Sequence, residues 1–451
     1  MAEPPASPPL GFYRGRESPS RELNQRDRPV QKIMLSPTTY VPSEALVRAT
    51  NVALLLGMPL LLTGAPGVGK TRLAGHLAEM QEAPFEKFVV TSTAIARDLL
   101  YSFDELARMR DAYRESSRRA ASGPGSARAT FGAPAPGIPH LGERAPIANP
   151  ATPYFPPDEN GDATFDMRRY LRFNALGKAI LRACGPGAFL EEIATSARTS
   201  DNSTDARWSA VWLRLGERRP LGSPPPQVAD LFDSAADHTE LTRDNRRADN
   251  PTIVLIDEID KAPREFPNDL LEEIDRFQFA IPELGLRVVP PAEAPNPVLI
   301  ITSNRETALP DPFLRRCCYH HIGFPDEDEL ARIVEGHMRN HDDDLRARAA
   351  EGVAYTSLPE TVPSGFRDQV RRLAMAFREP GRILRPPGLT EIIQWQMLVE
   401  RRLLVTPPSR GLSDPELRGL LLNTLGVLLK APEDFDEAPA IMDEFFAASK
   451  S

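Results

Sequence analysis

The stretch Gly64-Ala65-Pro66-Gly67-Val68-Gly69-Lys70-Thr71 constrains the fold of this chain more than any other. Its glycines make a tight loop, because glycine alone enters the left-handed backbone region at little cost. The loop directly follows the apolar run Leu60-Leu61-Leu62-Thr63, a buried strand by length and flanks, and a helical pattern over Lys70–Met80 follows it. Strand, glycine loop and helix in immediate succession turn backbone N–H groups and the positive end of a helix toward one point. That geometry suits phosphate oxygens. The spacing fits G-x-x-x-x-G-K-[ST], in which Lys70 would reach the β- and γ-phosphates of a nucleotide and the Thr71 hydroxyl would ligate Mg2+.

The rest of the chain supplies a frame for that loop. Pro42-Ser43-Glu44 opens a helix with apolar residues at helical spacing. Four further strands are expected, at Lys87–Thr91, Ile253–Ile256, Val298–Thr302 and Tyr319–Phe324. Helical patterns cover Ala96–Ala112, Ala262–Arg276 and Leu309–Arg316. Alternating apolar strands and helices predict an α/β fold, a parallel sheet sandwiched by helices. Beyond Phe324 the strand signals stop. Asp328–Arg339, Arg367–Phe377, Thr390–Leu404 and Leu417–Leu429 read as helices, the last opened by Ser413-x-x-Glu416 with Pro415 inside it. A helical second domain follows from this.

Three sites outside the loop carry chemistry. Ile253-Val254-Leu255-Ile256 delivers Asp257 and Glu258 to the tip of a buried strand. Beside a nucleotide loop, Asp257 would hold Mg2+ through water and Glu258 would orient and deprotonate an attacking water. The strand Val298–Thr302 ends in Ser303-Asn304; Asn304 either positions water near the γ-phosphate or caps a turn. Arg315 and Arg316 end a short helix. They are either partners of its C-terminal dipole or a finger inserted into a neighbouring subunit's nucleotide, and spacing does not choose between these.

Composition sets the limits. Proline accounts for 46 of 451 residues, clustered in a tail over residues 1–40 and in insertions over about 116–166 and 185–250. The tail and first insertion are poor in large apolar groups and are expected to be disordered. Trp208 and Trp212, at helical spacing in the second insertion, point to a small ordered helix there. A formal charge of −9 and a pI near 5.5 argue against a chain devoted to nucleic acid, though not against a local basic groove. Arg108, Arg110, Arg114, Arg118 and Arg119 read either as a solvated helix face or as a surface for an acidic partner or nucleic acid. Cys184, Cys317 and Cys318 are too few and too badly placed for a disulfide framework, which favours a reducing compartment. His320-His321 in a strand point to opposite faces and could not chelate one metal together. Trp395 reads as core. The apolar run Val52–Leu62 is too short to span a bilayer, and Met-Ala-Glu-Pro-Pro lacks the layout of a signal peptide. A soluble cytoplasmic protein is expected.

Taken together, the loop, the Asp-Glu strand, the Asn-ended strand, the Arg-Arg pair and the helical second domain resemble the AAA+ ATPases, and among them the MoxR-type group. LLLTGAPGVGKT (Leu60–Thr71), TSTAIARDLLYSFD (Thr91–Asp104), YLRFNALGKAIL (Tyr170–Leu181), LIDEIDKAPREFPNDLLEEIDRFQFAIPEL (Leu255–Leu284) and Ile300–Pro325 carry the likeness. It runs from about Pro42 to Leu429 with two interruptions.

The resemblance implies an AAA+ domain over residues 41–324 and a helical lid with C-terminal helices over 325–451. It places the Walker A residues on Gly64, Ala65, Pro66, Gly67, Val68, Gly69, Lys70 and Thr71, and the Walker B acids on Asp257 and Glu258. Asn304 takes the sensor-1 position, and Arg316 the arginine finger, with Arg315 as its alternate. The chain departs from the family at sensor 2: no Gly-x-Ser-x-Arg precedes a lid helix, and Arg385 is the best-placed arginine. ATP and Mg2+ are the implied cofactors. A homo-oligomeric ring, generally hexameric, that remodels or matures a client is the implied assembly, with a von Willebrand factor A domain protein as a possible partner. From composition, no membrane is expected and nucleic acid is disfavoured as a partner. Phe277–Val289 would be a hairpin facing the pore, or else an edge hairpin covering the sheet. Two other classes compete: an ATP-binding switch or scaffold with little turnover, disfavoured by the Asp257–Glu258 pair, and a DNA-handling motor, disfavoured by the acidic charge.

Overall fold

The computed structural model describes residues 40–122, 166–193, 204–217, 222, 224–232, 250–304, 308–350, 365–405 and 414–448. The disorder expected of the tail and of most of the first insertion therefore lies outside the described residues, as does the Ser413 cap. The side chains of Arg118 and Arg119 lie outside them too.

In chain order the elements begin with α1 (Glu44–Leu56), β1 (Leu60–Thr63), α2 (Lys70–Met80), β2 (Phe85–Val89), α3 (Ala96–Leu100) and β3 (Tyr101–Phe103). There follow α4 (Glu105–Ser122), β4 (Leu171–Phe173), α5 (Ala175–Cys184), β5 (Glu191–Glu192), α6 (Thr204–Arg214) and β6 (Ile253–Asp257). Next come α7 (Phe266–Asp269), α8 (Leu271–Arg276), β7 (Phe279–Ile281), β8 (Leu286–Val288), β9 (Val298–Ser303), α9 (Asp311–Leu314) and β10 (Cys318–His321). The helices α10 (Glu327–Ala350), α11 (Phe366–Ala376), α12 (Leu389–Val405), α13 (Asp414–Thr424) and α14 (Pro432–Ala448) end the described chain.

Five strands form one parallel sheet in the order β10-β1-β9-β6-β2. β1 and β6 are buried along their whole length, as apolar strands covered on both faces must be. The edge strands β2 and β10 alternate between half-buried and exposed positions. Among the described residues no helix is long and apolar enough to cross a membrane.

The chain divides into two compact units. The first comprises residues up to Met80, Ile301–Ala308 and Cys317–Ser451. Its α1 starts where expected, with the Ser43 hydroxyl accepting from the Leu46 N–H. Its C-terminal helices enclose an apolar core built on Leu330, Leu373, Phe377, Ile392, Trp395 and Met442. Trp395 is fully buried and donates from Nε1 to the Thr424 hydroxyl at 2.9 Å, which removes the cost of burying the indole N–H. Two buried carboxylates pin the helices: Asp434 accepts from the Leu384 and Arg385 backbone N–H groups, and Glu400 pairs with Arg367.

The second unit comprises Gln81–Ile300 and Leu309–Arg316. It holds β2 against β6, an antiparallel pair β3-β4, and a small sheet β5-β8-β7. The expected helix over Ala96–Ala112 is divided here. Tyr101-Ser102-Phe103 leaves the helix to pair with Leu171–Phe173, a partner too distant in sequence for local periodicity to reveal. Ala262–Arg276 starts later than expected, at Phe266 with Pro267 in the first turn where proline is tolerated, and is interrupted at Leu270. The hairpin over Phe277–Val289 forms as β7 and β8, with β5 as a third strand. The tryptophan pair lies on α6, and Trp212 is buried.

Candidate active site

After β1 the chain turns through Gly64, Gly67 and Gly69, all with positive φ. Two of these positions exclude any side chain. A Cβ on Gly64 would strike the Ile322 carbonyl oxygen, and one on Gly69 would come within 2.9 Å of the Tyr40 ring. The loop is thus an open run of backbone leading into α2. Lys70 is only 6% exposed, and its ammonium donates to Gly64 O (2.7 Å), Ala65 O (2.9 Å) and Asn304 Oδ1 (2.6 Å). Burying a lysine is costly unless its donors are matched, and this loop matches them with oxygens. Asn304, ambiguous in sequence, reaches Lys70. The glycine-rich loop and the buried ammonium fit a polyphosphate: the loop can present N–H groups, and the lysine can exchange carbonyl partners for phosphate oxygens. Thr71 follows on the first turn of α2, where its hydroxyl fits the hard-oxygen preference of Mg2+.

The acidic tip of β6 lies in the second unit. Asp257 is nearly buried and pairs with Lys87 of β2 at 2.8 Å. Glu258 adopts a left-handed backbone (φ 65°, ψ 48°), a conformation that costs a non-glycine residue about 1 kcal/mol or more. That kink ends the strand and turns the Glu258 carboxylate outward, where it is partly exposed and 2.6 Å from the Lys261 ammonium. Neither Lys87 nor Lys261 stood out in the sequence. Lys87 sits two residues before Val89, whose register partner is Asp257, and only the β2–β6 pairing exposes that relation. In the first unit Gly64 and Asn304 stand just beyond the C-terminal ends of β1 and β9, and in the second Asp257 is the last residue of β6.

The arginines are placed differently. Arg316 is half-exposed at the end of α9, and its Nε lies 2.9 Å from Asp275 Oδ2. Arg315 beside it caps the helix and is exposed. Arg385, the sequence candidate for sensor 2, is also exposed, and its backbone N–H is bound to Asp434. Instead, the start of α12 meets the loop. The Thr390 hydroxyl donates to Gly67 O at 3.3 Å, and a Cβ on Gly388 would sit 3.2 Å from Pro66 O. No arginine pattern pointed to Thr390.

Two family models match the chain. That of the ATPase family associated with various cellular activities (AAA) matches residues 176–326, which include Asp257, Glu258, Asn304, Arg315 and Arg316. That of the AAA domain of the dynein-related subfamily matches residues 59–123, which include Gly64–Thr71. No curated protein matches the chain significantly. With the five-stranded parallel sheet flanked by helices and the helical C-terminal region, these matches support an AAA+ ATPase, an AAA+ α/β fold followed by a helical lid.

Proposed function

We propose that this chain is a Mg2+-dependent ATPase of the MoxR type that assembles into a ring and uses hydrolysis to remodel or mature a client protein. The observation that carries the catalytic part is the Lys70 ammonium, buried among loop carbonyls and bonded to Asn304. In this reading the domain boundaries are 41–324 and 325–451. The loop N–H groups and Lys70 bind the β- and γ-phosphates of ATP, and Thr71 and Asp257 hold Mg2+. Bound Mg2+ would neutralise charge developing on the phosphate oxygens. Glu258 orients a water in line with the γ-phosphorus and takes its proton. Asn304 positions that water, and Arg316, with Arg315 next to it, reaches a neighbouring subunit's nucleotide. Partners are further copies of this chain and a client or von Willebrand factor A domain protein. The free cysteines agree with a reducing, cytoplasmic setting.

One observation favours a second reading, an ATP-binding switch with little turnover. Glu258 is already engaged by Lys261 at 2.6 Å and would have to leave it to act as a base. Glu258→Gln separates the two. The ATPase reading expects nucleotide binding to survive and steady-state phosphate release to fall by about 100-fold or more. Equal, slow release from both proteins would favour the switch.

A further inference from the structure

Nothing in the sequence shows how the helical region senses the phosphate loop, and Arg385 is exposed rather than directed to it. Another contact, inside the first unit, has the required placement. Arg72 follows Thr71 on the first turn of α2, so its backbone moves with the residues that hold phosphate and metal. Its Nη1 lies 2.7 Å from Nε2 of His337 on α10, a residue only 4% exposed. The His337 Nδ1 is 2.8 Å from the Ile333 carbonyl oxygen. A carbonyl only accepts, so Nδ1 carries the proton and Nε2 is left as the acceptor for Arg72. The bond is therefore directional, from a fixed donor to a ring locked in one tautomer.

A third residue extends this line to the loop. The Tyr40 ring packs on Gly69, stands 5.5 Å from the His76 ring, and lies under the Arg72 guanidinium at 5.9 Å. Simple helix packing does not call for this arrangement: partly burying a guanidinium is costly, and apolar side chains would fill the same space at less expense.

We propose that Arg72 and His337 are positioning residues that transmit the state of the phosphate loop to the helical region, a role that rests on the nucleotide-binding reading above. Oxygens arriving at the loop shift the first turn of α2, and the Arg72–His337 bond carries α10 with it.

The test is hydrogen exchange of the full-length chain with and without a Mg2+-bound, non-hydrolysable ATP analogue, read in peptides from α10 to α12. In the wild type the analogue is expected to slow exchange there by about threefold or more. His337→Phe fills the same space without an acceptor. It should bind the analogue within about twofold of the wild type and lose the exchange response, because only the coupling is removed. His337→Gln, which restores an acceptor oxygen, should recover it. A full response in His337→Phe, or none in His337→Gln, overturns the proposal. Should the phenylalanine variant fail to fold, Arg72→Met asks the same question from the other partner, and an unchanged response there overturns the proposal equally. A wild-type chain that binds no analogue would instead overturn the nucleotide reading beneath it.

Discussion

Single residues here are governed by how burial is offset. Lys70 and Asp257 are both withdrawn from water, and each meets an opposite partner, carbonyl and amide oxygens for one and Lys87 for the other. His337 is buried with a neutral ring. Burial holds its pKa below the usual histidine range and the Arg72 charge adds to this, while the bond to Ile333 O works the other way. The sign of the pH effect follows. The unfolded chain takes up a proton at this residue as pH falls through about 6.5, whereas the folded chain resists it, so stability is lost on acidification. We expect His337→Gln to lose less melting temperature than the wild type between about pH 7.5 and pH 5.5, since its side chain does not titrate. Equal losses would show that folding leaves the His337 pKa unchanged. His320 is depressed in the same direction by burial and contributes to both proteins alike.

Elements differ in how far they can be read from sequence. β1 and α2 lie where the pattern placed them, Leu60–Thr63 and Lys70–Met80, because strand, loop and helix signals are all local. The glycine loop between them and the placement of Asp257 and Glu258 at the end of β6 were legible for the same reason. Pairings were not. β3 is set by a strand about 70 residues on, and Lys87 joins Asp257 only through the β2–β6 register. Thr390 meets the loop from a helix more than 300 residues away. α5 illustrates how tertiary contact decides a residue: Gly177 lies so close to the Leu100 backbone that an added Cβ would collide with the carbonyl. Neither partner there is a flexible side-chain end, so the backbone must move. Gly177→Ala should therefore destabilise the protein by roughly 1–3 kcal/mol despite alanine's better helix propensity, as measured by chemical denaturation. A neutral or stabilising result would mean that α3 and α5 are less closely packed than described.

For the whole molecule, the claim at stake is assembly. Arg316 is half-exposed and held by Asp275 within its own chain, an exposed pair worth little in stability and readily exchanged. If Arg316 serves a neighbour's nucleotide, subunits defective in Lys70 and subunits defective in Arg316 should complement each other. Mixtures of Lys70→Ala and Arg316→Ala chains are expected to hydrolyse ATP faster than either alone, with a maximum at intermediate ratios. A rate that stays at the level of the separate variants at every ratio would confine each site to one chain.

All of this depends on the glycine loop gripping a triphosphate. Calorimetric titration of ATP with Mg2+ into the full-length wild type and into Lys70→Ala tests it most directly. One ATP should bind per wild-type chain, and the affinity should be at least about tenfold weaker, a loss of ~1.4 kcal/mol or more, once the buried ammonium is gone. Equal affinity in the two proteins, or no heat of binding in the wild type, would contradict it.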